Sequence, residues 1–191
     1  MTKLVFASHN ENKIKEVKKL LENQFEIVSL TDIGCFEDIP ETAETIEGNA
    51  ILKANYVTEK YGLNCFADDS GLLIDALNGA PGVYSARFAG EHKNDTDNLN
   101  LALQKLENET NRKAHFKTIM ALNLNGEQHL FEGIVQGDLT TQPIGNNGFG
   151  YDPIFVPEGY TETFAQLSLE EKSKMSHRGK ALQKMVQFLK A

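Results

Sequence analysis

The chain has 191 residues, enough for one domain with a sizeable core. Its 40% hydrophobic and 24% charged residues are those of an ordinary globular protein. A net charge of −8 excludes a general coat for DNA or RNA, which needs a basic face, but leaves room for a small phosphorylated ligand neutralised locally.

In chain order, Lys3–Ala7 (KLVFA) is a short apolar run that predicts a buried strand, too short for a signal peptide or a membrane span. Asn12–Glu22 sets Ile14, Val17, Leu20 and Leu21 at helical spacing, and Phe25–Leu30 alternates as a second strand. Thr45–Tyr61 predicts a long helix carrying Ile46, Asn49, Ala50, Lys53, Ala54, Val57 and Tyr61 on apolar and polar stripes. Cys65–Ala67 reads as a strand ending at two aspartates, Pro81-Gly82 breaks the chain, and Thr96–Leu106 reads as another helix. Ala114–Asn125 alternates, with Phe116, Thr118, Met120, Leu122 and Leu124 on one face. Asn125-Gly126 is a hairpin turn signal, and Leu130–Leu139 its return strand. A last helix over 179–190 packs through Leu182, Met185, Val186 and Leu189. Helices interleaved with parallel and hairpin strands predict an α/β domain with a mixed sheet. No repeat or linker-like stretch divides the chain, so one domain over 1–191 is expected. Cys35 and Cys65 match no zinc spacing and make no disulfide scaffold, which points to a reducing, cytoplasmic setting.

Five stretches carry chemistry. ASHNENK (Ala7–Lys13) lies where the first strand turns into the first helix, and helix N-terminal N–H groups favour an anion; an ordinary cap by Asn10 explains it equally. In PETAETIEGNAILKAN, Glu44 and Glu47 suit a helix start, whereas Glu41 precedes the helix and can reach a metal. Asn49 and Lys53 lie one turn apart, on either a solvated face or a site edge. In FADDSGLLID, neighbouring Asp68 and Asp69 point to opposite sides of an extended chain, so one enters a site while the other caps the turn or holds nearby backbone; a surface turn is the alternative. PIGNNGFGYDPIF interleaves Phe149 and Tyr151 with glycines, which suits a flat heterocycle that stacks and hydrogen-bonds, the alternative being a flexible surface loop. In EEKSKMSHRGKA, Ser176 can cap the last helix, with His177 and Arg178 in its first turn, where cations oppose the helix dipole; ligand donors or a solvated basic surface both account for them.

Six motifs in this order, SHNENK, ETAETIEGNAILKA, ADDSG, GAPGVYSARFAG, GFGYDP and EEKSKMSHRGKAL, resemble the inosine triphosphate pyrophosphatase family, which clears non-standard purine nucleotides. The resemblance implies an elongated α/β protein with a twisted mixed sheet flanked by helices, two lobes, an active-site cleft between them, and a homodimer. It implies a magnesium-dependent pyrophosphatase that converts ITP, dITP or XTP to the monophosphate and pyrophosphate. Ser8, His9, Asn10, Glu11, Asn12 and Lys13 bind the triphosphate in that reading. Asp69 is the catalytic base, and with Glu41 it holds the metal. Ser70, Phe149, Gly150, Tyr151, Asp152, Lys172, His177 and Arg178 surround the substrate, with Lys13 and Lys172 offsetting charge on the leaving oxygens. A donor such as Arg178 facing the C6 oxygen of hypoxanthine or xanthine meets another donor in adenine; guanine must be rejected through its 2-amino group.

The sequence departs from the family at His9 and Ala43, where glycine is common, and at Asn146-Asn147, where Thr-Gly is frequent. A Maf-type pyrophosphatase opens with Ser-Pro-Arg-Arg, which is absent. A haloacid-dehalogenase phosphatase places D-x-D-x-T after its first strand, also absent. A non-catalytic nucleotide sensor is the reading from another class; the presence of Glu41 and Asp69 counts against it.

Overall fold

The computed structural model describes residues 2–191. The chain opens β1 (Thr2–Phe6), α1 (Glu11–Leu21), β2 (Phe25–Ser29), α2 (Ile46–Tyr61) and β3 (Cys65–Ile74). It continues α3 (Asp95–Lys105), β4 (Lys113–Leu124), β5 (Glu127–Leu139), β6 (Phe155–Pro157), α4 (Leu169–Met175) and α5 (His177–Lys190). The strands form one mixed six-stranded sheet in the order β2-β1-β3-β4-β5-β6. β1 pairs in parallel with β2, from Thr2↔Phe25 to Phe6↔Ser29, and with β3 through Val5↔Cys65 and Phe6↔Phe66. Parallel neighbours need crossover connections, and α1 and α2 supply them. Asn125 and Gly126, both with positive φ (53° and 86°), form the two-residue turn between β4 and β5.

The described chain divides into two compact units, one of residues 2–69, 118–133 and 179–191, the other of residues 70–117 and 134–178. The first has its own apolar core, in which Phe6, Val17, Leu21, Phe66, Leu122 and Met185 pack together. Phe6 stacks on Phe66 with ring centroids 4.8 Å apart. The second is built on Leu72, Leu106, Phe116, Ile154, Phe155 and Phe164.

The helix predicted over Thr45–Tyr61 has Thr45 as its cap, its hydroxyl accepting from the Gly48 N–H, and buries Ile46, Asn49, Ala50, Lys53, Ala54 and Val57. One expectation fails. β3 does not stop at the aspartates but runs through them to Ile74, and Asp68 and Asp69 are both buried, so DDSG is no surface turn. α4 was not expected, although Ser168 and Glu171 form the reciprocal capping box that announces it. Among the described residues no helix is long and apolar enough to cross a membrane.

Candidate active site

In the first unit, β1 delivers its C-terminal end to the turn before α1. Asn10 caps that helix, its side-chain oxygen accepting from the Lys13 N–H at 3.1 Å, while the Asn10 N–H donates to Ser8 Oγ at 3.1 Å. The loop is thus pre-shaped, with the first N–H groups of α1 at its end, where intrahelical partners are lacking by geometry. His9 turns away from this edge, its Nε2–H donating to the Glu37 carbonyl at 2.9 Å.

Both aspartates of β3 meet a lysine from a helix. Lys13 of α1 reaches Asp68, 3.2 Å from each carboxylate oxygen. Asp68 therefore holds the Lys13 side chain. Lys53 of α2 lies 3.8 Å from Asp69 Oδ1 and 3.9 Å from Glu41. Alternation along the strand explains why adjacent carboxylates find different partners. Burial is the main influence on Asp69 and pushes its carboxyl up to about 6, against the pull of Lys53 and Lys13; Glu41 and Asp68 add to the rise. Asp69 Oδ2 is buried without a hydrogen-bond partner. An unpaired carboxylate oxygen inside a protein is costly, and a cation or a proton relieves it.

The sequence left Lys53 on either a solvated face or a site edge; the structure buries it on the same helical stripe as Ala50, Ala54 and Val57, beside Asp69 and Glu41. Asn49, one turn earlier and also buried, accepts from the Ala43 N–H at 2.9 Å, leaving its own amide nitrogen without a hydrogen-bond partner.

In the second unit, the glycine loop closes on Asp152. Its Oδ2 accepts from the Phe149 N–H at 3.0 Å and from Lys172 Nζ at 2.7 Å, in a buried ion pair. A Cβ at Gly148 would stand 2.1 Å from the same oxygen, so glycine is what lets the carboxylate in. The Gly150 N–H donates to Asp95 Oδ2 at 3.0 Å. Tyr151 does not present its ring as the loop's composition suggested: it is buried, and its hydroxyl donates to the Ser85 carbonyl at 2.7 Å. Phe149, only partly covered, is the aromatic face left to the loop. Lys172 Nζ lies 4.9 Å from its ring centroid and the Arg178 guanidinium 5.8 Å. Arg178, fully buried at the start of α5, donates to Ser70 Oγ at 3.2 Å. His177 is buried and stacks on Phe116 at 4.6 Å.

The predicted residues therefore fall into two groups. Ser8–Lys13, Glu41 and Asp69 belong to the first unit; Ser70, Phe149–Asp152, Lys172, His177 and Arg178 belong to the second, and Asp69 and Ser70 adjoin along the chain. The first group gathers carboxylates, lysines and helix N–H groups; the second gathers an aromatic face and cations.

A profile of the Ham1 family matches residues 4–188. The chain is 62% identical over 187 residues to a dITP/XTP pyrophosphatase of Flavobacterium psychrophilum, covering 98% of both chains. It is 61% identical over 189 residues to a dITP/XTP pyrophosphatase of Flavobacterium johnsoniae, covering 99% of this chain and 98% of the other. The solved structure of a HAM1 protein from Coxiella burnetii superposes with a TM-score of 0.90 at 38% identity, covering 100% of this chain and 99% of that one. With its order of motifs, its mixed sheet and its full-length match all in agreement, the chain belongs to the Ham1 family.

Proposed function

We propose that the protein is a nucleoside triphosphate pyrophosphatase that hydrolyses non-standard purine nucleotides, dITP, ITP and XTP, to the monophosphate and pyrophosphate. The observation that carries this reading is the buried Asp69, raised to about 6 beside Glu41 and Lys53, with one carboxylate oxygen unpartnered. Full-length relatives named dITP/XTP pyrophosphatase support it.

The donor set fits magnesium. That ion takes hard oxygen ligands and usually one or two carboxylates, leaving the other positions to water and substrate phosphates. Glu41 and Asp69 are two such carboxylates, already converging on the Lys53 ammonium. Glu41 and Asp69 would hold magnesium there, and the ion would supply positive charge against the phosphates.

The residues then divide the work. The N–H groups at the start of α1 and the Lys13 and Lys53 ammonium groups face anionic oxygens. Asp69 Oδ2 takes a proton from the water whose oxygen bonds to the α-phosphorus. The bond from that phosphorus to the α–β bridging oxygen breaks, and pyrophosphate carries the electron pair away. Lys172, paired with Asp152, sets its ammonium beside Phe149, where a base stacks. Arg178 or a loop N–H donates to a 6-oxo group. In adenine the same donor is left facing an amino group, at a cost of about 1–3 kcal/mol. The reading includes a homodimer, which sedimentation at twice the mass of one chain would meet.

The deciding experiment supplies purified protein and magnesium with XTP, dITP, GTP, ATP and dTTP and measures pyrophosphate and orthophosphate separately. Pyrophosphate from XTP and dITP, with little from the others, is expected. Orthophosphate alone would replace this reading with a phosphatase; no release from any nucleotide would favour a binding protein.

A further inference from the structure

Residues 34–45, which carry Glu41, contain neither helix nor strand. No backbone ladder fixes such a segment, so side chains must do it. Glu37 is the residue on which those tethers meet. Its Oε1 accepts from Tyr56 Oη at 2.8 Å, from Tyr61 Oη at 3.2 Å and from Lys60 Nζ, all three on α2. Lys60 in turn donates to the Tyr56 hydroxyl at 3.2 Å and lies over both tyrosine rings, 5.4 and 5.6 Å from their centroids. The hydrogen bond from Lys60, above all, holds the Glu37 carboxyl well below the usual carboxylate range.

The backbone of the same residue faces the other way. The Glu37 carbonyl accepts from His9 Nε2, in the loop that precedes α1. Two residues on, Ile39 is buried; six residues on, the Ala43 N–H is held by Asn49 of α2. Gly48 lets the segment approach the helix, since a Cβ there would stand 2.7 Å from the Ala43 Cβ. One residue thus joins three site-bearing elements: the Ser8–Lys13 loop, the Glu41 segment, and α2 with Lys53.

We propose that Glu37 is a positioning residue that locks the Ser8–Lys13 loop and the Glu41 segment onto α2, and that it thereby sets the magnesium requirement of the enzyme. The metal part rests on the function proposed above; the mechanical part does not. His9 stands in the loop as the tether's far end, which explains a bulky side chain where glycine would serve a bare phosphate loop.

The test measures amide hydrogen exchange in the metal-free, nucleotide-free protein and the magnesium dependence of XTP hydrolysis. Glu37→Ala and Lys60→Met should both accelerate exchange at residues 8–13 as well as 38–44, although neither side chain touches the loop. Both should raise the magnesium concentration for half-maximal rate about tenfold, as loss of a supporting partner does at metal sites. At saturating magnesium and XTP, kcat should stay within about threefold of wild type, which a general loss of structure would not permit. Glu37→Gln, which keeps an acceptor for both tyrosines, should recover most of both effects. His9→Ala should accelerate exchange at 8–13 and leave 38–44 as in wild type. Unchanged exchange at 8–13 in Glu37→Ala and Lys60→Met overturns the tether, and an unchanged magnesium requirement overturns its functional part. A wild type without activity defeats the function proposed above and with it the functional part; the exchange data still decide the tether.

Discussion

Asp69 is held in an environment that resists its charge. Its carboxyl sits at about 6 in the folded chain against an ordinary value of 3.8, chiefly because burial removes water from it. Between those two values the folded chain binds more protons than the unfolded one. This residue therefore lowers stability as pH rises from about 4 to about 6, and the cost is complete above that. Asp69→Asn removes it. In chelator at about pH 7.5, urea unfolding should show the variant more stable than wild type by about 1–3 kcal/mol, reduced by what Lys53 loses, and the gap should close toward about pH 4. If Asp69 is the proton acceptor proposed above, pyrophosphate release should fall at least about a thousandfold. A variant less stable than wild type at the higher pH would show that the pairing with Lys53 outweighs burial.

The loop before α4 works as an element only because Asp152 closes it. Its carboxylate spans the Phe149 N–H and Lys172, and Gly148, at φ +72°, both allows the turn and leaves room for the oxygen. Gly148→Ala forces the two apart. The expected result is a KM for XTP raised about tenfold with kcat within about threefold, because positioning of the base is lost while Asp69 is untouched. Thermal or urea unfolding should register a loss of about 1–2 kcal/mol from the strained backbone. An unchanged KM would mean that the loop does not hold the base. β3 is built by the same logic: a strand third in a sheet of six is buried even at its acids, and lysines from α1 and α2 make that tolerable.

At the scale of the whole molecule, each unit has an apolar core of its own. Met185 and Leu122 belong to one, Leu106 and Phe164 to the other, all of them essentially inaccessible to water. Met185→Ala and Leu106→Ala should each cost about 2–5 kcal/mol in urea unfolding, through lost burial and an unfilled cavity. A loss below about 1 kcal/mol in either would show that its core collapses around the gap. The chain's net charge of −8 places no general attraction on a triphosphate, so the proposed anion binding would rest on a few cations: buried Lys53, Lys172 and Arg178, and half-buried Lys13.

Local pattern by itself determined most of the elements. The stripe from Ile46 to Val57, the alternation around Met120 and the Asn125-Gly126 turn each follow from a period or a dihedral preference that needs no distant partner. Residue order also carried the family, since six short motifs together are specific where each alone is not. Tertiary structure decided what long-range pairing decides. Whether DDSG is a turn or a buried strand depended on Lys13, 55 positions away from Asp68. Whether Lys53 is solvated depended on which face α2 turns inward, and whether Tyr151 offers its ring depended on Ser85, 66 positions earlier. Glu37 looked like one more acid in a loop; its worth lies in Tyr56, Lys60, Tyr61 and His9, separated from it by 19 to 28 positions. The physical reason is the same each time: a charge or a phenol has no fixed role until folding removes its water and supplies another partner.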